Sequence, residues 1–226
     1  VAYISTCSDH RPGPGENAVL LVLDLKTGKY RELIDTEHYY GFIVVDYLGR
    51  AYHPILGGDI ARYDPATERL ERLTQTIDGQ PPSEATRLAL TKPRPDPINW
   101  DISPDGKTLY ALPMSGNGFY AYDLTAKGSA LPGRSLGILI PGAKSTDCRA
   151  MCVAPDGSIW AGVAATIAGQ GQLLHLMSYR ASNASPTDHG PIAISNPDYA
   201  TVTDKDGKPK KWHHGVLRVD DQLVPR

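Results

Sequence analysis

The sequence contains no apolar run near the roughly 20 residues of a membrane-spanning helix, so no such span is expected. It has no excess of charge of either sign. The 23 basic and 25 acidic residues give a formal net charge of −2, which argues against a nucleic-acid-binding protein. A phosphate-binding loop, a glycine-rich dinucleotide turn, a Gly-x-Ser-x-Gly elbow and a His-Glu-x-x-His pair are also missing. Nucleotide-dependent chemistry is therefore not expected.

Cysteine and phenylalanine are both scarce. The three cysteines are an odd number, and Cys148 and Cys152 would stand about 13 Å apart on an extended strand, too far for a disulfide. Only 2 phenylalanines accompany 12 tyrosines, whereas glycine (22) and proline (19) are abundant. This profile is typical of many short strands and turns. Since 41% of the 226 residues are hydrophobic, the chain can bury the core of one domain.

A repeat is the strongest pattern in the sequence. Residues 41–52, 99–110 and 149–160 each read as an apolar strand, a tight turn that contains glycine, and a second strand with an aromatic residue. Two of the turns are Ser-Pro-Asp-Gly and Ala-Pro-Asp-Gly. Proline presets φ, aspartate bonds back to the turn backbone, and glycine takes a positive φ, so both predict tight turns.

A second element follows these hairpins. Residues 20–30, 60–70 and 119–128 combine alternating apolar residues, an aspartate, a short polar turn and another strand. The pattern predicts a third and a fourth strand. Four strands in a unit of roughly 40 to 55 residues are typical of a β-propeller blade. The competing interpretation is an immunoglobulin-like sandwich, which would not repeat the same pattern three times.

The phase of the repeat bears on how many blades the chain holds. Residues 1–5 match a second strand, so the chain begins inside a blade and runs through about four blades. We expect one domain, 1–226, that is a fragment of a six- to eight-bladed propeller, with a proline-rich inter-blade insertion at 74–98. In the alternative, residues 215–219 supply the missing strand and close a ring of four blades.

The blade pattern resembles a superfamily of six- and seven-bladed propellers. It includes streptogramin lyase, the SMP-30/gluconolactonase group, NHL repeats and the YVTN-type repeat proteins. The resemblance rests on blade-forming residues, so it implies a fold and leaves the chemistry open. In gluconolactonase-like members, a Glu, Asn and Asp set holds a divalent metal, and no such set aligns with this chain. Lyase-like members use a histidine of a late blade.

The two faces of the predicted propeller differ in loop length. The turns on one face are tight, at 24–29, 46–50, 64–69, 103–107 and 154–158. The connections predicted for the other face are long, at 8–17, 74–98, 141–147, 165–172 and 195–211. Long loops on one face of a rigid scaffold commonly carry function. We therefore expect any binding site on the long-loop face.

Aromatic, amide and charged side chains are expected at the channel mouth on that face. The predicted ligand-binding residues are Tyr40, His53, Asn99, Trp100, Asp147 and Arg149. Such groups suit a small polar molecule or a protein segment, and the same residues also suit inter-blade packing and hydrogen bonding. The sequence thus favours a binding module without a membrane span and without nucleic acid as a partner. The alternative is a metal-dependent lactonase or lyase that uses Ca²⁺ or Zn²⁺.

Overall fold

The computed structural model describes residues 1–6, 18–36, 43–55, 59–81, 99–112, 116–169 and 171–192. These ranges contain strands and turns and no helix, so none of them holds a helix that could cross a membrane. Their strands are β1 (Ala2–Ser5), β2 (Ala18–Leu23), β3 (Tyr30–Thr36), β4 (Val44–Val45), β5 (Ala51–Ile55), β6 (Asp59–Asp64), β7 (Arg69–Ile77), β8 (Asn99–Ile102), β9 (Thr108–Leu112), β10 (Gly118–Asp123), β11 (Ala130–Ile138), β12 (Ala143–Val153), β13 (Ile159–Ile167), β14 (Gly171–Tyr179) and β15 (Thr187–Pro191).

The strands form four antiparallel meanders. Blade I holds β1 to β3, and blades II, III and IV hold β4 to β7, β8 to β11 and β12 to β15. The first strands of blades II, III and IV lie side by side, with β8 in contact with both β4 and β12. This arrangement places first strands along a common channel, as in a β-propeller. The predicted all-β propeller fold is confirmed. That β1 is the second strand of its blade stays a prediction from the repeat.

The tight turns follow from local chemistry. In blade III, the Asp105 carboxylate accepts the Ser103 hydroxyl at 2.6 Å and the Lys107 amide at 3.1 Å. These bonds, that of the Ser103 hydroxyl first, lower the pKa of Asp105. Gly106 and Gly157 have φ of +71° and +78°, a conformation that favours glycine. The turns at 46–50, 103–107 and 154–158 therefore stand where the sequence placed them.

Blade III is buried on both sides, because alternate residues of a strand point to opposite faces. Leu109 and Tyr122 belong to the core between blades II and III. Their neighbours Leu112 and Phe119 belong to the core between blades III and IV. The two cores share the sheet of blade III, which fixes the register of its strands.

The outer strands of blades II and III join in a way that the sequence did not indicate. Residues Thr74 to Ile77 of β7 pair in parallel with Ala130 to Gly133 of β11. Gly133 permits this approach, because a Cβ there would lie 2.6 Å from the Tyr122 ring and 2.9 Å from the Thr76 carbonyl oxygen. Blades II and III thus form one eight-stranded sheet that encloses their shared core.

Several predicted loops are shorter than expected. Residues 143–147 belong to β12, and within the predicted loop at 165–172, residues 165–167 belong to β13 and residues 171–172 to β14. The first four residues of the predicted insertion, 74–77, continue β7. Residues 82–98 and 215–219 lie outside the described residues. In the described parts of these connections, the structure therefore has more strand and less loop than the sequence suggested.

Candidate functional site

His53 lies in β5 near the end of the strand that leads to the long-loop face. Its side chain is fully buried. Its Nδ1 lies 2.6 Å from the Pro54 carbonyl oxygen, and its Nε2 lies 2.9 Å from the Ser5 hydroxyl oxygen of blade I. A carbonyl oxygen only accepts, so in the neutral ring Nδ1 carries the proton and Nε2 accepts the Ser5 hydroxyl proton. This bond joins blades I and II at the long-loop face.

Asn99 and Trp100 begin β8 and point to opposite sides of blade III. Trp100 is buried in the core shared with blade II. Asn99 is half-buried, and its Nδ2 donates to the Cys148 carbonyl oxygen of blade IV at 2.9 Å. A carboxamide can also accept hydrogen bonds. Within the described ranges, Asn99 Oδ1 accepts none.

Asp147 and Arg149 lie within β12, whereas the sequence predicted them at the start of this strand. The strand begins at Ala143 and pairs with β13 along most of its length. Asp147 pairs with Ala164, and the register shifts between Cys148 and Ala150. The shift is a bulge, which changes the alternation of side chains along a strand. Tyr40 lies outside the described residues.

The structure thus brings part of the predicted set to one end of the blades. His53 and Asn99 each bond to a neighbouring blade at the long-loop face. Ser5 was not among the predicted residues. Its signal was present in the sequence, since Ala2-Tyr3 aligns with Ala51-Tyr52 and so places Ser5 level with the end of β5. In the described part of the chain, no three His, Cys, Asp or Glu side chains cluster closely enough to hold a metal ion.

The interface between blades I and II has a second polar contact toward the short-turn face. The Tyr3 hydroxyl donates to the Gly49 carbonyl oxygen at 2.7 Å, and the Tyr3 ring meets the Tyr63 ring edge-on at a centroid distance of 6.0 Å. Burial, and then the nearby Tyr63, raise the pKa of Tyr3 to about 12. Tyr3 therefore keeps its donor proton well above neutral pH.

Replacement of Tyr3 by phenylalanine tests this contact. Because one hydrogen bond is lost, the free energy of unfolding should fall by about 1 kcal/mol. A tyrosine pKa that is higher in the folded than in the unfolded state contributes stability below pH of about 10, and this stability is lost as the pH rises through about 12. In an absorbance titration, the variant should lack the one tyrosine ionisation that the parent protein shows at a pH of about 12. The control variant Tyr47→Phe, at an exposed tyrosine, should keep this ionisation. If Tyr3→Phe also kept it, the assignment of the raised pKa to Tyr3 would be wrong.

Comparison with known proteins gives structural similarity at low identity. No protein-family model and no curated protein matches the sequence. Similar solved structures include hydrazine synthase from Kuenenia stuttgartiensis (16% identity, TM-score 0.48) and TolB from Acinetobacter baumannii (14%, 0.47). The match covers 83% and 85% of this chain, respectively. This chain spans 50% of the first protein's chain and 41% of the second's.

A third similar structure comes from Bacteroides uniformis and is described as a candidate 6-phosphogluconolactonase. It is 11% identical with a TM-score of 0.42, and the match covers 98% of this chain and 72% of that one. These names describe three different functions. At such scores and identities, the similarity assigns neither a family nor an activity to this chain.

Proposed function

We propose that this propeller is a binding module that holds a small polar ligand on its long-loop face. The supporting observation is that a hydroxyl (Ser5), an imidazole (His53) and a carboxamide (Asn99) from three successive blades lie at the same end of their strands. Polar groups that converge from different elements at one end of a rigid scaffold are typical of ligand sites.

The chemistry of these groups indicates which part of the ligand they would contact. The Ser5–His53 pair is satisfied internally and holds blades I and II in register. Asn99 is held by its bond to the Cys148 carbonyl oxygen, while no group in the described part of the chain donates to its Oδ1. A ligand with hydroxyl or amide N–H groups matches such an acceptor. Asp147 and Arg149 follow in the neighbouring blade and are proposed to add charge to the same site. A protein segment with the same groups is the second form of partner.

A combined replacement tests the proposal. In the triple variant Asn99→Ala, Asp147→Ala and Arg149→Ala, binding should be abolished while the β-sheet circular dichroism spectrum is kept. The probes are glucose and gluconate, a neutral and an anionic polyhydroxyl compound, detected by saturation-transfer NMR. The matched control is Asp105→Ala, Lys107→Ala and Asp156→Ala on the short-turn face, which should bind as the parent protein does.

Three results would contradict the proposal. They are binding that persists in the triple variant, binding that is lost in the control, and no binding of any probe by the parent protein. The first two would place the site elsewhere on the molecule, and the third would exclude this ligand class. The alternative of a metal-dependent lactonase or lyase stays a prediction from the sequence.

A further inference from the structure

A cleft of about 380 Å³ separates blades I and II at the short-turn face. Its walls include Val22 of β2, Arg31 of β3 and Tyr63 of β6, and Tyr30 and Glu68 stand at its rim. The volume lies within the range of small-molecule sites. The cleft lies at the opposite end of the blade I–II interface from the Ser5–His53 pair, so it is separate from the site proposed above.

Arg31 gives the cleft a positioned cation. Its Nη2 donates to the Tyr63 hydroxyl at 2.7 Å, and its guanidinium carbon lies 5.7 Å from the centroid of the Tyr63 ring. These two contacts hold the guanidinium group beside the Tyr63 side chain. A guanidinium has five N–H donors, and the hydroxyl oxygen of Tyr63 takes one of them. The arginine side chain is 50% exposed, so its other donors can reach a ligand.

The counter-ion of Arg31 is weakly held. Glu68 Oε2 lies 3.6 Å from Arg31 Nη1, which is beyond hydrogen-bond distance, and the Glu68 side chain is 70% exposed. An exposed ion pair of this kind contributes little to stability. A ligand carboxylate can therefore replace Glu68 on Arg31, and it would gain the two-pronged geometry that the guanidinium offers.

The other charged side chains of the cleft are of both signs, with Asp24 as a carboxylate and Lys29 as a cation. The Asp24 carboxylate accepts the Lys26 amide at 2.8 Å and the Thr27 amide at 3.4 Å, so it serves the turn. These bonds, that of Lys26 first, lower the pKa of Asp24. Lys29 lines the same cleft and adds a second cation near Arg31.

The wall opposite the charges is apolar and aromatic. Tyr63 is buried, and its ring is held in place by the Tyr3 ring as well as by Arg31. Val22 and Pro65 extend this surface, and Tyr30, which is 73% exposed, offers a further ring at the rim. A flat apolar group in the cleft would therefore lie against the accessible part of this surface, Pro65 and Tyr30.

We propose that this cleft binds a small carboxylate with a flat apolar body, with the carboxylate on Arg31 and the body against Pro65 and the exposed ring of Tyr30. Benzoate is the probe, and benzamide is its uncharged counterpart of the same shape. Benzoate should bind in an NMR titration and shift the signals of blades I and II. Benzamide should bind at least about tenfold more weakly, because it lacks the charge-assisted hydrogen bonds.

Variants of Arg31 separate charge from geometry. Arg31→Ala should weaken benzoate binding at least about tenfold. Arg31→Lys keeps the charge and loses the paired N–H donors of the guanidinium, so its affinity for benzoate should lie between those of the parent protein and Arg31→Ala. Arg72→Ala is the matched control, since Arg72 is a 62%-exposed arginine paired with Asp59 and does not line the cleft. It should bind benzoate as the parent protein does. Circular dichroism establishes that each variant is folded.

The proposal is overturned if benzoate does not bind, if benzamide binds equally well, or if Arg31→Ala retains the parent affinity. Should Arg31→Ala fail to fold, Arg31→Gln replaces it with the same expectation. The triple variant at Asn99, Asp147 and Arg149 should keep full benzoate affinity. Loss of benzoate binding in that variant would place the carboxylate site on the long-loop face and would also overturn the proposal.

Discussion

Replacement of Asp46 by alanine should lower the free energy of unfolding by about 3 to 5 kcal/mol, as expected when one member of a buried ion pair is removed. The Asp46 side chain is fully buried. Its Oδ1 accepts the amides of Leu48 and Arg50, and its Oδ2 accepts Arg50 Nε at 2.6 Å and the Tyr52 hydroxyl at 3.0 Å. The variant would leave all four donors without this acceptor.

The effect should extend beyond the turn, because Arg50 also connects two blades. Its Nη2 donates to the Leu124 carbonyl oxygen of blade III at 2.8 Å, and the carboxylate of Asp46 holds the guanidinium in that position. Loss of Asp46 therefore leaves a charged group, largely buried, without its counter-ion at the boundary between blades II and III. Such a group is costly in surroundings of low polarity.

The experiment is urea unfolding followed by circular dichroism. Asp105→Ala is the control, since Asp105 builds the corresponding turn of blade III from an exposed position, and its loss should cost much less than the loss of Asp46. Blade IV has Ala154 at the turn position of Asp46, so an alanine there is compatible with the turn itself. An equal loss in both variants would show that burial and the Arg50 contact add nothing.

The second large effect is expected at Gly106. Its φ is +71°, and a Cβ added there would lie 2.6 Å from the backbone nitrogen of Tyr47 in the neighbouring turn. Tyr47 N already donates to the Gly106 carbonyl oxygen at 3.2 Å, so the two turns cannot move apart without breaking that bond. Gly106→Ala should cost about 1 to 2 kcal/mol for the left-handed backbone and about 1 to 3 kcal/mol more for the clash.

Gly157 provides the matched control. It stands at the same turn position in blade IV with φ of +78°, and an added Cβ there would meet nothing within 4 Å. Gly157→Ala should therefore show the backbone cost alone. The difference between the two variants in free energy of unfolding measures the contact between the turns of blades II and III. Equal losses of free energy of unfolding in the two variants would mean that the turns of blades II and III move apart at no measurable cost.

Local chemistry explains why the sequence predicted the blades. The turn of blade III needs Ser103, Asp105 and Gly106 at fixed spacing, and these residues determine the turn without help from the rest of the chain. The alternating apolar residues of β9 and β10 then follow from burial on both faces. Elements defined by neighbouring residues could therefore be predicted.

Contacts between distant residues could not be predicted in the same way. The parallel pair of β7 and β11 joins segments about 56 residues apart, and its enabling residue, Gly133, has an ordinary negative φ that gives no turn signal. The start of β12 was placed too late because Pro141-Gly142 reads as a loop that continues, whereas the strand begins immediately after it. Long-range pairing depends on approach distances that residue types alone do not reveal.

For the candidate site, the sequence predicted the position of two residues along their strands, and ligand binding by them stays a prediction. The repeat placed His53 and Asn99 at one end of the blades, which the structure shows. It did not show that Trp100 would lie in the core with blade II while Asn99 faces blade IV, because this depends on which face of β8 each neighbour covers. The sequence did not predict the Arg31 cleft, because its long loops indicated a binding site on the opposite, long-loop face.

The pairing of the outer strands β7 and β11 limits how far blades II and III can move apart. A propeller widens or narrows when wedge-shaped gaps open between blades toward the rim. Between blades II and III this gap is closed at the hub by the contact of β4 with β8 and at the rim by the parallel pair. Radial expansion must then fall on the I–II and III–IV boundaries. The first of these holds the Ser5–His53 bond and the Arg31 cleft, and the second holds the Asn99–Cys148 bond. A change in the width of either boundary would therefore alter polar contacts of a proposed site.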